Sequence, residues 1–260
     1  MKMRTFAVVW AMASVATAGI VTEDIEGGLA LVVTGSAFTD DEQKALNGNT
    51  VQELWKTGSS TLVAGDISAF TGVIRVKGGT YEVSSQAGLG TTAGATHVED
   101  GATLTYNHDQ KLSEPLFLSG DGVGGTAGAL NCPLKSVGVT GVLTLTGDAL
   151  INGDKEWTLA ASDFDMGGHT LTMSNVTHQC VFKPTKISNA GNIVNAKGSI
   201  WINNGTLMDQ GPEHCLTLTN ASNLSVYYYT NRNSVATWKL RYASTTTGHG
   251  IYVSNKPEQP

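Results

Sequence analysis

The sequence predicts an all-β chain wound into stacked coils, and three observations carry that prediction. Apolar and polar residues alternate at period two wherever apolar residues cluster, as in Ile74-Arg75-Val76-Lys77 and Leu143-Thr144-Leu145-Thr146, which is the pattern of half-buried strands. Glycine is abundant, 31 of 260 residues, and it breaks these runs at short intervals, as at Gly78-Gly79. The apolar-Thr-apolar unit also recurs, with Leu143/Leu145, Trp157/Leu159 and Leu171/Met173 standing 14 residues apart. Repetition of this kind marks an array whose units cannot bury their apolar faces alone. A coil of roughly 20 to 28 residues rising about 4.8 Å gives on the order of 8 to 11 coils, a rod about 40 to 50 Å long.

Taken in chain order, the first element is a leader. Lys2 and Arg4 precede the apolar stretch Thr5 to Val15, and Ala16-Thr17-Ala18 is a small-residue exit, so residues 1–18 read as a secretory signal peptide. Next, Thr39 before Asp40-Asp41-Glu42 and Lys44-Ala45-Leu46, stopped at Asn47-Gly48, predicts one short N-terminal helix with a Thr or Asp cap and an acidic first turn. Strands follow: Ile74 and Val76 inward with Arg75 and Lys77 outward, Tyr81 and Val83 inward, then Leu104, Leu143/Leu145, Trp157/Leu159, Leu171/Met173 and Leu216/Leu218. Threonine suits the outward positions because its branched chain fits a pleated surface while its hydroxyl meets water.

Composition narrows the function classes. Charged residues make up 15% and the formal net charge is −6; the leader removes only cations, so the exported chain is more acidic still. Such a chain is a poor partner for nucleic acid or anionic membranes. Glycine lacks the every-third-residue period of collagen, and no apolar window is long enough to cross a bilayer as a helix. Cys132, Cys180 and Cys215 are odd in number, which excludes a disulfide framework as the main source of stability while leaving one bridge open.

The segment Leu54-Trp55-Lys56-Thr57-Gly58-Ser59-Ser60-Thr61-Leu62-Val63 resembles the K-T-G-x-G-T-L-x-L unit of autotransporter-associated β-strand repeats. Three further pieces follow in the order of that family: Phe70-Thr71-Gly72 through Thr80-Tyr81, then Gly88-Leu89-Gly90 with Val98 to Leu104, then Leu118 to Leu130 continued by Gly141 to Gly147. The resemblance spans residues 54 to 147. It implies a right-handed, single-stranded parallel β-helix, a β-solenoid of the pectin-lyase-like kind, as found in passenger domains exported by Gram-negative bacteria. In that family the repeats are architectural, tied to export, display or adhesion, with no catalytic residues to transfer. The expected organisation is therefore a leader over 1–18, a β-helix with this resemblance over 19–147, and continuing solenoid coils over 148–260. An outer-membrane translocator needs many roughly 10-residue alternating strands with a lipid-facing apolar band, for which no space is expected beside the solenoid, and the sequence ends Asn255-Lys256-Pro257-Glu258-Gln259-Pro260, polar and proline-flanked. It is expected to be either freely secreted or the front of a longer protein.

Asp163-Phe164-Asp165 places two carboxylates on one strand face, the separation that glycoside hydrolysis uses. Gly248-His249-Gly250 resembles the G-H-G of polygalacturonases, but the nearest D-D is Asp40-Asp41 and no Arg follows His249. His178, Cys180, His214 and Cys215 contain the atoms of a two-His, two-Cys metal site, yet their spacing matches no zinc pattern, and neither Asp121 nor Asp154 sits in a calcium-binding nonapeptide. No metal and no cofactor is expected. Tyr227, Tyr228, Tyr229 and Trp238 are the candidate ligand-binding aromatics, since rings offer flat area for sugars at low entropic cost; burial or end-capping is their other reading.

The reading that results is a secreted or surface-displayed structural and adhesive solenoid, extracellular or on the outer surface, or periplasmic without further export. Surface glycans or cell-envelope components are the expected partners, and no catalysis is expected. The alternative is a polysaccharide-active β-helix enzyme, a lyase or glycoside hydrolase, using Asp163 and Asp165.

Overall fold

The structure is a computed structural model in which the described residues are 20–134, 137–189 and 191–202, together with the backbones of strands Val15–Thr17, Leu216–Thr219, Asn223–Tyr228, Leu240–Ala243 and Ile251–Asn255. Side chains are described within the first three ranges except at 137, 175–179, 199 and 201–202. The chain forms a parallel β-solenoid of about 7 turns with one short helix.

The N-terminal end is antiparallel. Strand β1 (Val15–Thr17) pairs with β2 (Ile20–Ile25), and β2 pairs with β3 (Gly28–Val33). The expected leader boundary thus falls between β1 and β2. From β3 onward every pairing is parallel. The first face runs through Glu53–Lys56, Val73–Val76, Ala95–Val98, Leu116–Gly120, residues 143–145, Phe164–Asp165 and Ile187–Ser188. The second face runs through Thr61–Val63, Gly79–Val83, Ala102–Tyr106, Leu130–Cys132, residues 149–153 and residues 171–175, and continues from there. A third face becomes regular only from Val137–Val139 and Trp157–Leu159 onward.

Helix α1 (Asp40–Asn47) forms where the sequence places it. Thr39 Oγ1 accepts from Glu42 N at 3.2 Å while Glu42 Oε2 accepts from Thr39 N at 2.7 Å, a reciprocal cap that satisfies two helix-end donors. It stands where the third face has no strand. Gln43 and Asn47 donate to Asp66 O, and Asn49 donates to Ala69 O, which seats this end of the coil on the next.

The 14-residue step is not the coil. Leu143, Trp157 and Leu171 lie on the first, third and second faces respectively, so the step measures passage around the solenoid rather than along it. The stacking period is longer, as Trp157 pairs with Cys180 and Leu171 with Ile193.

Inward residues stack in register. Leu54, Ile74, Thr96, Leu116, Leu143 and Phe164 form one fully buried column on the first face, and Leu62, Tyr81, Leu104, Leu130, Ile151 and Met173 form another on the second. Apolar area removed from water at about 25 cal/mol per Å² drives this stacking. Polar residues also occupy the interior: Lys56, Thr96 and Glu114 are buried. Glycine enters for two reasons. Gly79 has φ +66°, and a side chain there would meet Ser60 O; Gly72 has no such φ, but a Cβ would stand 2.1 Å from Gln52 O, so close approach of coils excludes it.

Candidate functional site

The first face turns a second set of residues outward, and parallel registration stacks them one per coil. Trp55 pairs with Arg75, Arg75 with His97, His97 with Phe117, and Phe117 with Thr144. A neighbouring column holds Glu53, Val73 and Ala95, and Pro115 and Val142 continue it just ahead of Leu116 and Leu143. Trp55, Arg75, His97 and Phe117 are all part-exposed, and Val142 is 41% exposed. The result is an aromatic and apolar strip crossing five coils.

Contacts within the strip are specific. Arg75 Nε and Nη2 donate to Glu53 Oε2 and Oε1 at 2.9 and 3.2 Å, and Trp55 Nε1 donates to the same carboxylate at 2.5 Å. Burial works to raise the Glu53 carboxyl, but the hydrogen bonds from Arg75 and Trp55 and the charges of Arg75 and Lys77 hold it below the ordinary range. Lys77 Nζ stands 3.3 Å from the Trp55 ring centroid, a cation–π contact. The His97 and Phe117 rings are parallel within 2°, with centroids 4.2 Å apart. Desolvation first, and the Arg75 charge second, press His97 below the usual imidazole value against the pull of Glu53, so its neutral form prevails at pH 7.

Beside the strip, at the corner between the first and second faces, lies an open groove of about 460 Å³ lined by Asp100, Ser119, Gly120, Asp121, Gly147, Asp148 and His169. Asp148 Oδ1 accepts from Thr170 N at 2.8 Å and lies 3.8 Å from His169 Nδ1. Among the described residues no group of three His, Cys, Asp or Glu side chains is placed to hold a metal ion.

The carboxylates that the sequence offers for catalysis flank buried Phe164 on the outer side of the first face, and both are tied to the next coil. Asp163 is bound by Lys186 Nζ at 2.9 Å and Ser188 Oγ at 3.4 Å. Asp165 Oδ1 accepts from Gly167 N and Asn189 Nδ2, each at 2.9 Å. Cys180 is buried with its Sγ 3.6 Å from Met173 Sδ, and Cys132 is likewise a buried free thiol. Burial pushes the Cys132 thiol up to about 12 and raises Cys180, which the nearby Cys132 raises further. Cys132 pairs with Gly153 on one coil, and Trp157 of that same coil pairs with Cys180 on the next. Two ladder steps separate the backbones by roughly 10 Å, beyond the reach of about 7 Å that a disulfide allows.

Of the remaining candidates, His178 lies in strand Leu171–Phe182, with its side chain outside the described residues. Tyr227 and Tyr228 lie in strand Asn223–Tyr228, opposite Ser254 and Asn255, again without described side chains. Tyr229, Trp238, His214, Cys215 and His249 fall outside the described residues. The aromatic strip was missed at the level of sequence, although a signal exists: Trp55, Arg75, His97 and Phe117 each follow an inward residue, at steps of 20, 22 and 20.

No family model, curated protein or solved structure matches the chain. No described helix is long and apolar enough to cross a membrane.

Proposed function

We propose that the chain is an exported structural and adhesive β-solenoid of the autotransporter-passenger kind, with the outer side of its first face as the binding surface. The observation that carries the reading is the registration of Trp55, Arg75, His97 and Phe117 on four successive coils, because a strip of partly exposed rings on a rigid sheet is ready to bind without reordering. The solenoid supports it, since stacked coils hold an extended surface away from an anchor. Its test is retention of the purified chain, coupled to beads, on bacterial or host cell surfaces. The chain carrying both Trp55→Ala and Phe117→Ala is expected to lose most retention while keeping its far-UV spectrum. Equal retention by the double variant would move the surface elsewhere, and no retention of the unaltered chain would leave a scaffold without adhesion.

A further inference from the structure

The strip also specifies its ligand class, an inference that rests on the adhesive reading above. Its dimensions come first. From Trp55 to Thr144 it spans four ladder steps, about 19 Å, and two outward columns set it roughly 7 Å wide. Stable protein partners cover about 800 Å² on each side, far more than this strip offers, so it suits one extended chain rather than a globular face.

Charge comes second. Within the strip Glu53 is matched by Arg75 and Lys77 stands over Trp55 near the same carboxylate, while beyond Val142 Asp163 is matched by Lys186. Along its flank, Ser119 lines the groove that holds Asp100, Asp121 and Asp148, and Ser119 is two residues from Phe117, about 7 Å along the strand. Two cations and one carboxylate therefore stand on the strip, and three carboxylates line its flank, so the surface presents no cationic field that would select an anionic chain. Spacing comes third. Each coil contributes one outward side chain about 4.8 Å from the next, close to the length of one sugar residue in an extended glycan. One face of Trp55 is covered by Lys77 and the facing sides of His97 and Phe117 cover each other, so the outward ring edges, with the Val73, Pro115 and Val142 side chains and the Thr144 hydroxyl, are what meets the apolar C–H faces and hydroxyl edges of such residues.

We propose that the outer strip of the first face binds a neutral extended glycan lying along the solenoid axis, one sugar residue per coil from Trp55 to Thr144. The probe is a set of β-linked glucose oligomers of two to seven units, titrated calorimetrically against the full chain, with uronic-acid and amino-sugar oligomers alongside. Affinity is expected to rise with each unit up to five and then level, with little change on adding salt. Phe117→Ala is expected to weaken the pentamer at least tenfold and Phe117→Tyr to retain it, whereas Asp121→Asn changes nothing. Tighter binding of uronic-acid oligomers overturns the proposal, as does affinity that stops growing at two units or is unmoved by Phe117→Ala. Preference for amino-sugar oligomers lost in Asp121→Asn also overturns it, because the ligand then sits in the acidic groove. Retention on cells without binding of any neutral oligomer overturns the ligand class and leaves the adhesive reading; loss of both removes the two together.

Discussion

The corner between the first and second faces is built differently at the two ends of the described solenoid. Near its start, Lys56 occupies an inward position and its Nζ donates to Thr57 O, Gly58 O and Gly78 O at 2.8, 3.2 and 2.9 Å. Further along, the backbone at this corner donates to carboxylates instead: Gly167 N to Asp165 and Thr170 N to Asp148. Both devices answer one problem, since the ladder breaks at a corner and leaves backbone groups without strand partners. Carbonyls that converge on the interior require a cation inside, whereas N–H groups near the surface can use an acid that water also reaches. The two are unequal in energy, because water can replace an exposed carboxylate and cannot replace a buried ammonium.

That inequality can be broken or sharpened by substitution. Lys56→Met leaves three inward carbonyls short of a donor and is expected to destabilise by about 4 kcal/mol, read from the urea midpoint; a loss under 1 kcal/mol would make the two corners equivalent. Glu114 extends the contrast to an interior acid. It is 3% exposed, its one described hydrogen bond is from Thr96 Oγ1 at 3.5 Å, and desolvation raises it to about 7 against the Thr96 bond, which lowers it. A carboxyl raised on folding contributes stability below its unfolded value near 4.5 that is lost as pH climbs through about 7, on the order of 3 kcal/mol. Glu114→Gln should therefore gain on the unaltered chain by about that much between pH 4.5 and pH 8, and parallel pH profiles for the two would show that the carboxyl is hydrated.

Smaller effects are expected at the outer acids. Asp165→Ala should cost about 1 kcal/mol at pH 7, since its two donors turn to water. Asp163→Asn loses the partly exposed ion pair with Lys186, an interaction of about 0.5 kcal/mol, and is expected to leave a polysaccharide-turnover assay unchanged. A turnover present in the unaltered chain and absent from Asp163→Asn would replace adhesion by the enzyme reading.

Much of the fold was legible in the sequence where neighbours within a few residues decide the outcome. The Thr39 cap and the stop at Gly48 were readable because a helix end is satisfied locally. Inward Ile74, Val76, Tyr81 and Val83 were readable because strand side chains alternate. The stacking step, 23 residues from Trp157 to Cys180 and 22 from Leu171 to Ile193, lies within the expected range of roughly 20 to 28, whereas the equal spacing of Leu143, Trp157 and Leu171 carries no label for the face on which each strand lies. The Lys56 position was also hidden: in Leu54-Trp55-Lys56 the alternation places Lys56 inward beside Leu54, but its charge argues for solvent until Gly58 and Gly78 are brought beneath it. The binding strip was hidden for a related reason, because Trp55 and Phe117 are 62 residues apart and become neighbours only through Arg75 and His97.

The sequence by itself determined the strand alternation, the capped helix and the solenoid architecture, because each follows from short-range pattern and its repetition. Only the tertiary structure decided which residues share a column, through corner lengths that set the parallel register coil by coil. From that registration came the internal ammonium at Lys56, the acidic groove around Asp121 and the outward strip from Trp55 to Thr144. A one-residue change of register turns every side chain of a strand to the opposite face, so surface chemistry of this kind belongs to the stacking rather than to any single strand.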